Sequence, residues 1–391
     1  MREELLGKPE EVASSTDGFD VSAALRDIAR PRLTGSEGAA EVAIAIRSRF
    51  EGMGYEVRED VFHFNPWPGR FGITAVGVLY LVATMAAAML LYRGNPYSAI
   101  ALLLILLVAV GLIAFFATPA IDALPFGRQE GSNMLAQRPG SRPRFIVMAH
   151  RDSKSQPVPL AFRGPAIVLG AVMWVALLLA AAFHTAQPLP GTLILVLATL
   201  AALAGITLIL CWVDNRSPGA LDNASGVVAA LGIAAREADA ADVAFLITDA
   251  EELGLAGARA AATRLAPVEG VINLDGLDDQ GPFYVFERFG MLRRRGFAPH
   301  LAAAILQEAD ARGEAADRRD LPFGIPVDHI PVVKAGIPAL TLMRGTMRSL
   351  RRVHRAADSV DQLRGDGVRR AIDLVSGAVE RLREQSRALQ R

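Results

Sequence analysis

The chain is 391 residues long, which predicts one or two domains. Its 41 basic and 41 acidic residues give a formal net charge of zero, so the composition does not favour a nucleic acid partner. Six histidines and a single cysteine, Cys211, exclude a disulfide scaffold and a cysteine-rich zinc site. The apolar fraction of 52% is slightly high for a soluble protein, and the apolar residues are unevenly distributed.

The first 70 residues have the pattern of a soluble domain. The start, MREELLGKPEEV, is charged and has no apolar core, so it does not predict a secretory signal. Helical periodicity over Asp20–Arg30 and Gly38–Met53 predicts two helices, and alternation over Gly54–Phe64 predicts a strand. We expect His63 on that strand to be a packed or surface histidine rather than a metal ligand.

Four uncharged apolar segments follow, each about as long as the roughly 20 helical residues that cross a bilayer core. They are Phe71–Tyr92, Ser98–Thr118, Pro165–Phe183 and Gly191–Val213. Because buried core helices rarely run so far without a charge, we predict four transmembrane helices paired into two hairpins. The short links Arg93–Tyr97 and His184–Pro190 are then the hairpin tips, and the lipid bilayer is a partner of the chain.

Basic residues near the ends of the apolar segments predict the orientation in the membrane. The side that holds the polar parts of the chain carries Arg70, Arg128, Lys154, Arg163 and Arg216. The hairpin tips carry only Arg93. The positive-inside rule therefore predicts a multi-pass protein of the cell membrane with its polar parts in the cytoplasm.

The segment between the hairpins centres on a predicted strand, Arg144–His150, that ends in a histidine. Asp152 follows at a spacing that lets its carboxylate accept the spare ring N–H of a metal-bound imidazole. Taken alone, a histidine at a strand end is more often structural. After the second hairpin, the loop SPGALDNASG leads into a predicted helix, Val227–Ala238, for which Asp222 or Asn223 is placed as an N-cap.

The stretch VAFLITDAEELGLAGAR, Val243–Arg259, is the most informative in the chain. Val243–Thr248 predicts a buried strand, which is followed by a turn and then a helix. Glu251 and Glu252 lie side by side between them. Two adjacent buried carboxylates repel each other, and one or two cations would relieve that cost and leave one carboxylate free as a base. The alternative is a helix N-terminus that favours acidic residues.

Another buried strand that ends in a carboxylate is predicted at Val271–Asp275. The remaining predicted elements are an amphipathic helix at Phe297–Arg312, a loop at Pro326–Ala335, a strand at Gly336–Met343 and a final helix at Val368–Leu389. His354 lies shortly before that last helix.

Three predicted strands thus end in His150, in Glu251 and Glu252, and in Asp275. Ligands of open α/β sheets collect at the carboxyl ends of strands. Histidine nitrogens and carboxylate oxygens without thiolates suit zinc, or manganese or cobalt in its place. A carboxylate such as Asp222 can bridge two ions, and a pair of ions that activates water and polarises a carbonyl suits amide hydrolysis.

These motifs resemble metallopeptidase family 28, the two-zinc aminopeptidases. The matching segments are PRLTGSEGAA at 31–40, HRDS at 150–153, DNASG at 222–226, EELGLAGAR at 251–259, NLD at 273–275, DHIPVVKAGIP at 328–338 and HRAAD at 354–358. They follow the order of the family, and the resemblance covers essentially all of the chain outside the four apolar segments.

The resemblance implies a two-zinc centre in which His150 and Asp275 hold one ion, Glu252 and His354 hold the other, and Asp222 bridges them. Glu251 would be the general base that takes a proton from the attacking water and later delivers it to the leaving amine. Asp152 would orient His150. Asp328 and His329 would line the site without an assigned role.

Three features depart from the family pattern. A transmembrane hairpin is inserted between Asp152 and the bridging Asp222, where the family has few residues. Arg355 replaces the small hydroxyl residue that is common after the last histidine, and Val327 stands where a serine is usual. None of these removes a ligand, but the insertion changes which substrates can reach the site.

We therefore predict a membrane-embedded zinc aminopeptidase that acts on peptides, and we expect these to include membrane-proximal peptides. Its fold is expected to be α/β, a mixed and largely parallel sheet with helices on both faces. The predicted parts are the catalytic domain at 1–70, 119–164 and 214–391 and the transmembrane hairpins at 71–118 and 165–213. The alternatives are a glutaminyl-cyclase-like zinc enzyme and a non-catalytic membrane scaffold on a peptidase fold.

Overall fold

A mixed β-sheet lies at the centre of the polar part of the chain in the computed structural model, which describes residues 18–122, 126–237, 240–289, 295–322 and 325–389. Its strands are β1 Glu56–Phe64, β2 Gln129–Gln137, β3 Phe145–His150, β4 Val243–Thr248, β5 Gly270–Leu277, β6 Phe283–Phe289, β7 Arg295–Gly296, β8 Ala316–Asp320 and β9 Ala339–Arg344. The strand order is β1-β2-β4-β3-β5-β9-β6-β7, and β8 pairs with β6.

The centre of the sheet is parallel and its margins are mostly antiparallel. Strand β3 pairs in parallel with β4 and β5, and β5 pairs in parallel with β9. Every residue of β3 and β4 is buried, as expected for strands covered on both faces. The carboxyl ends of β4, β3 and β5 therefore lie next to one another at one edge, where the predicted ligands are.

Eleven α-helices occur among the described residues. They are α1 Val21–Ile28, α2 Glu37–Gly52, α3 Trp67–Tyr92, α4 Pro96–Asp122, α5 Leu160–His184, α6 Gly191–Ile209, α7 Ser225–Arg236, α8 Ala256–Ala262, α9 Pro299–Ala311, α10 His329–Lys334 and α11 Asp366–Leu389. Short 3-10 turns cover Ser349–Arg351 and Val360–Gln362, and an irregular turn at Ala220–Ala224 precedes α7.

Apolar cores lie on both faces of the sheet. Helices α1, α2, α7, α9 and α11 pack on the face that carries Val147, Phe245 and Leu340. Helices α8 and α10 cover the opposite face, which carries Met148 and Leu246. Successive side chains of β3 and β4 point to opposite faces of the sheet, so the same strands contribute residues to both cores. The predicted α/β fold with helices on both faces is confirmed.

Helices α3, α4, α5 and α6 form a separate bundle with its own apolar core. Tyr80 of α3 donates a hydrogen bond to the Gly170 carbonyl of α5 at 2.9 Å. Trp174 of α5 donates to the Leu103 carbonyl of α4 at 3.1 Å. The two predicted hairpins therefore pack on each other, and their tips lie side by side, where Asn95 and Thr185 line one cleft.

Three of these helices, α3, α5 and α6, are long and apolar enough to cross a membrane, by length and composition. In α4 the apolar run with described side chains is Pro96–Leu112. The rest of the predicted segment Ser98–Thr118 falls outside the residues whose side chains are described. Helices α3 and α5 begin about one turn before the predicted segments, because Trp67 and Leu160 extend the apolar pattern across Arg70 and Arg163.

One local prediction is wrong, and of the two residues predicted as an N-cap only Asp222 is excluded. The predicted loop Pro326–Ala335 contains the helix α10, whose apolar residues Val332 and Val333 pack on the sheet. Asp222 is not an N-cap, because α7 starts at Ser225 without a side-chain cap and the Asp222 carboxylate points away from that helix end. Asn223 instead accepts a hydrogen bond from the Gly226 amide at 2.9 Å.

Candidate metal centre

The predicted ligands come together at the carboxyl edge of the parallel strands. His150 ends β3, Glu251 and Glu252 follow β4, and Asp275 lies inside β5, which continues to Leu277 rather than ending at the carboxylate. Side chains that could hold a metal ion form two groups, His150 with Glu251 and Asp275, and Asp222 with Glu252 and His354. In each group the ligand atoms lie within 4.8 Å of one another.

Asp222 lies between the two groups. Its Oδ1 is 3.2 Å from His150 Nε2, and its Oδ2 is 3.0 Å from His354 Nε2. Asp275 Oδ1 is 3.8 Å from the same His150 nitrogen, and Glu252 Oε1 is 3.4 Å from the His354 nitrogen. One carboxylate therefore faces both histidines with a different oxygen, as the predicted bridging role requires.

Two ligand loops adopt backbone conformations that non-glycine residues rarely adopt. Ala250, directly before the glutamate pair, has a φ of 55°, and His354 has a φ of 62°. Left-handed backbone costs roughly 1–2 kcal/mol for such residues and persists only where the surrounding structure enforces it. The turn at Ala250 places the Glu251 and Glu252 amides so that both point to one acceptor.

That acceptor is Asp152, which is fully buried. Its Oδ1 accepts a hydrogen bond from the Glu251 amide at 3.1 Å, and its Oδ2 accepts one from the Glu252 amide at 3.0 Å. Its Oδ1 is also 3.5 Å from His150 Nδ1, and its backbone carbonyl is 3.2 Å from the same nitrogen. Asp152 thus joins the His150 loop to the glutamate pair, a contact beyond the orienting role predicted for it.

The two glutamates differ in their electrostatic environment. Burial, together with the charges of Glu252, Asp328 and Asp275, raises the pKa of Glu251 well above its usual value. Burial also raises the pKa of Glu252, but Lys154 and then His354 outweigh it and hold this pKa at about 2. Glu251 is therefore the more basic of the two carboxylates, which suits a proton acceptor.

Asp328 and His329 lie behind this edge in the interior. Thr248 Oγ1 donates a hydrogen bond to Asp328 Oδ2, and burial is the main cause that raises the pKa of Asp328 to about 7. His329 Nδ1 is 2.6 Å from Thr341 Oγ1, and burial lowers the pKa of His329 to about 3. Asp328 therefore acts on the site through its charge next to Glu251, whereas His329 is a neutral part of the core.

Four site residues were not predicted from the sequence. Asp358 accepts hydrogen bonds from the amides of Leu221, at 2.8 Å, and Asp222, at 3.1 Å, and so fixes the backbone of the bridging carboxylate. Lys154 and Arg163 contact Glu252 and His354, and Arg32 lies beneath the centre. Three of them lie in or directly beside the quoted motifs, which is the signal that could have marked them as site residues: Asp358 in HRAAD, Arg32 in PRLTGSEGAA and Lys154 after HRDS.

Arg32 is completely buried, and its guanidinium donates hydrogen bonds to backbone carbonyls. Its guanidinium donates to the carbonyls of Arg151 at 2.6 Å and Gly219 at 2.8 Å, and also to those of Arg30 and Pro218. Burial lowers its pKa to about 10, so it remains charged at neutral pH. This one side chain ties the His150 loop to the Asp222 loop.

We expect Arg32→Met to destabilise the fold by at least about 3 kcal/mol, because each buried carbonyl left without a donor costs about 1–3 kcal/mol. The melting midpoint of the purified protein should fall by at least about 3 °C. Arg58→Met is the matched control, since the Arg58 side chain is 64% exposed. Equal midpoints for the two variants would contradict this role for Arg32.

The residues fit a zinc centre in donor type and in arrangement. Both neighbours of His150 Nδ1 are acceptors, so this nitrogen carries a proton and Nε2 is the nitrogen that faces Asp222 and Asp275. Glu252 Oε1 is buried and has no hydrogen-bond donor in the described part of the chain. Imidazole nitrogen and carboxylate oxygen are the ligands that zinc takes in catalytic sites.

His63 and Cys211 lie outside this centre, as predicted. The side chain of His63 is 56% exposed and is 3.8 Å from Glu130. Cys211 is buried, and its thiol donates to the Thr207 carbonyl at 3.2 Å.

The structure thus combines a mixed α/β sheet with two groups of potential metal ligands at the carboxyl edge of its parallel strands. Residues 205–379 match the sequence model of peptidase family M28. This match confirms the predicted resemblance to that family. No curated protein sequence matches the chain.

Solved structures extend the likeness of fold to nearly the whole chain. An aminopeptidase from Aneurinibacillus sp. strain AM-1 matches 94% of this chain and 94% of its own at 15% identity, with a TM-score of 0.53. The zinc aminopeptidase BSAP from Bacillus subtilis matches 93% of this chain and 94% of its own at 14% identity, with a TM-score of 0.53.

A glutaminyl cyclase from Porphyromonas gingivalis matches equally well. It covers 94% of this chain and 99% of its own at 16% identity, with a TM-score of 0.52. At these identities the likeness shows the fold, which aminopeptidases and cyclases share. The comparisons thus support a peptidase-type hydrolase without selecting its reaction.

Proposed function

We propose that the chain is a two-zinc aminopeptidase. The observation that supports this most is the position of Asp222, whose two oxygens face His150 and His354 in two separate ligand groups. In this proposal His150 and Asp275 hold one ion, Glu252 and His354 hold the other, and Asp222 bridges them. Zinc at these positions would activate a water molecule and polarise the scissile carbonyl.

Glu251 is the proposed general base. Its carboxylate lies beside His150 and Asp275, and burial raises its pKa, which makes it a better proton acceptor than Glu252. It accepts a proton from the attacking water and returns it to the amine that leaves. Asp152 holds the Glu251 and Glu252 amides and the His150 ring in one arrangement, so it positions both the base and a ligand.

A glutaminyl-cyclase-like activity is the second candidate, and the likeness in fold to the Porphyromonas gingivalis cyclase favours it. Cyclisation of an amino-terminal glutamine also needs a proton acceptor and a polarised carbonyl, which the same residues supply. A non-catalytic membrane scaffold is the third candidate. Clustered buried carboxylates argue against a scaffold, because burying them costs free energy without serving its role.

The three candidates are separated by one substrate panel. The purified protein is given peptides with a free amino terminus, the same peptides with an acetylated amino terminus, and a peptide that begins with glutamine, each with and without a chelator. We expect chelator-sensitive cleavage of the free peptides alone. Conversion of the glutamine peptide to its cyclised form without cleavage would support the cyclase, and no turnover of any peptide would support the scaffold.

We also propose that the helices α3, α4, α5 and α6 cross the cell membrane as two hairpins that interrupt one catalytic domain. Large apolar side chains cover the outer faces of all four helices, among them Val82, Ile105, Val168 and Leu195, each of which is exposed. A continuous exposed apolar surface of this extent is typical of a membrane contact. The chain outside the hairpins builds one sheet, which supports a single interrupted domain.

The metal centre lies close to the bilayer in this arrangement. The ends of the bundle opposite the hairpin tips contact the loops of the centre directly. Gly69, at the start of α3, packs so closely on Leu253 that an added Cβ would lie 2.6 Å from its Cα. Ser155 and Asp214 form a two-bond bridge, at 2.7 and 2.8 Å, between the segments that enter α5 and leave α6.

We infer that natural substrates include membrane-proximal peptides, because the end of the bundle contacts the loops that carry the site. The enzyme reconstituted in liposomes should cleave a lipid-anchored peptide more efficiently than the matched soluble peptide. Equal efficiency on both peptides would show that the helices only anchor the enzyme.

The proposed orientation places the catalytic domain in the cytoplasm and the hairpin tips outside. Two of the basic residues behind this prediction, Lys154 and Arg163, contact ligands of the metal centre, so they do not face the bilayer surface. Arg70, Arg128 and Arg216 remain on the proposed cytoplasmic side, and Arg93 remains at a hairpin tip. The cytoplasmic side therefore still carries more basic residues than the outer side.

In a variant with Cys211→Ala, we expect Gln187→Cys to react with a membrane-impermeant thiol reagent in intact cells and Asp310→Cys to remain unreactive. Both positions are exposed, one at a hairpin tip and one on α9. Both cysteines should react after the cells are permeabilised. The reverse pattern in intact cells would place the catalytic domain outside the cytoplasm.

A further inference from the structure

The two metal positions differ in the cations that surround them. Lys154 Nζ is 2.6 Å from Glu252 Oε2, and its side chain is only 15% exposed. Arg163 Nη2 is 2.9 Å from His354 Nδ1, and Arg163 is also buried. In the second ligand group, Asp222 with Glu252 and His354, two side chains are therefore each in contact with a positive charge. They are Glu252 and His354.

The first metal position, that of His150, Asp222 and Asp275, differs in this respect. Among the described residues, no ion pair joins a lysine or an arginine to the carboxylate of Glu251 or Asp275. At the second position the charges of Lys154 and Arg163 oppose those of the carboxylates. A divalent ion there therefore meets two like charges that do not contact the ligands of the first position.

The hydrogen bonds of the His354 ring also disfavour a metal ion at the second position. A guanidinium can only donate, so His354 Nδ1 accepts the hydrogen bond from Arg163 and the ring proton lies on Nε2. That Nε2 lies 3.0 Å from Asp222 Oδ2 and 3.4 Å from Glu252 Oε1, both of which are acceptors. A metal needs a lone pair at this nitrogen, and His354 can offer one only if Arg163 gives up its bond to Nδ1. His150 can offer its Nε2 to a metal while its Nδ1 keeps a proton toward Asp152.

Arg163 is held in place by the segment that enters the hairpin. Its Nη1 donates to Gln156 Oε1, and the Gln156 amide donates to the His354 carbonyl at 3.0 Å. Gln156 Nε2 also donates to the Cys211 carbonyl, beyond the end of α6, at 2.8 Å. Because Arg163 lies on α5, the inserted hairpin itself supplies a charge to the second position.

We propose that Lys154 and Arg163 set the affinity of the second metal position, so that the chain binds two zinc ions with unequal affinity. This inference rests on the proposed zinc centre. An ion enters the position of His150, Asp222 and Asp275 first. An ion at the position of Glu252 and His354 binds more weakly, because it displaces both cations from its ligands.

The test is a calorimetric titration of zinc into chelator-treated, full-length protein in detergent. The wild type should show two binding steps whose dissociation constants differ by at least about tenfold. Lys154→Met and Arg163→Gln should each tighten the weaker step by about tenfold or more and leave the tighter step within about twofold. His354→Ala should remove the weaker step alone, which assigns it to this position.

Matched control variants distinguish the effect of the positive charge on zinc affinity from an effect of the substitution on folding. Lys154→Arg keeps the positive charge and should retain the unequal wild-type steps. Lys334→Met and Arg216→Gln remove equal charges from exposed positions and should leave both steps unchanged.

Two equal steps in the wild type, or an unchanged weaker step in both Lys154→Met and Arg163→Gln, would overturn this inference and leave the zinc centre intact. A wild type that binds no zinc would overturn the proposed function and this inference together.

Discussion

Glu251→Gln should lower the rate of peptide hydrolysis by about 10²- to 10⁴-fold, the range typical for loss of a general base. The amide keeps the shape of the side chain but cannot accept the proton of the attacking water. The zinc content should remain close to that of the wild type, because the proposal makes Glu251 a base rather than a ligand. Rates at saturating substrate and elemental analysis of the same preparation measure both quantities.

Glu252→Gln is the matched comparison, since the two residues are adjacent and carry the same side chain. It should weaken zinc binding, because Glu252 faces His354 at 3.4 Å within the second ligand group. If Glu251→Gln empties the site while Glu252→Gln does not, the roles of the two glutamates are reversed. The grouping of Glu251 with His150 and Asp275 makes that comparison necessary.

Asp222→Asn should have an effect at least as large on activity and, in contrast to Glu251→Gln, should remove metal. Its two oxygens serve both ligand groups, so one substitution weakens both positions at once. We expect the zinc content to fall from two ions per chain to one or none. Elemental analysis after dialysis against buffer with a known free zinc concentration measures this.

Asp310→Asn provides the control for Asp222→Asn, because it makes the same chemical change at an exposed residue of α9. It should leave both activity and zinc content unchanged. An Asp222→Asn protein that retains two zinc ions would show that this carboxylate does not bridge them, although it lies between the two histidines.

The sequence was sufficient for the features that depend on local pattern. Strand β4 has the predicted bounds Val243–Thr248, because its apolar run is short, buried and bounded by a turn. The carboxyl ends of β3, β4 and β5 lie together because parallel neighbours bring them to one edge. His150 and the glutamate pair were therefore predicted to meet from their place on the strands alone.

The sequence was not sufficient for contacts between distant segments. Arg163 reaches His354 across 191 residues of chain, and its charge looked like part of a membrane-flanking pattern. Arg32 donates to the Gly219 carbonyl across 187 residues, and nothing in its local sequence marks it as buried. The sequence predicts a loop where helix α10 lies, because the segment has two prolines and the helix is too short to show a helical pattern of apolar residues.

The most direct test of the zinc centre is an anomalous difference map, collected at the zinc absorption edge, from crystals of the full-length protein grown with zinc. We predict a peak bounded by His150, Asp222 and Asp275, and at high zinc concentration a second, weaker peak bounded by Asp222, Glu252 and His354. A map with no peak within ligand distance of these side chains would contradict the proposed metal centre.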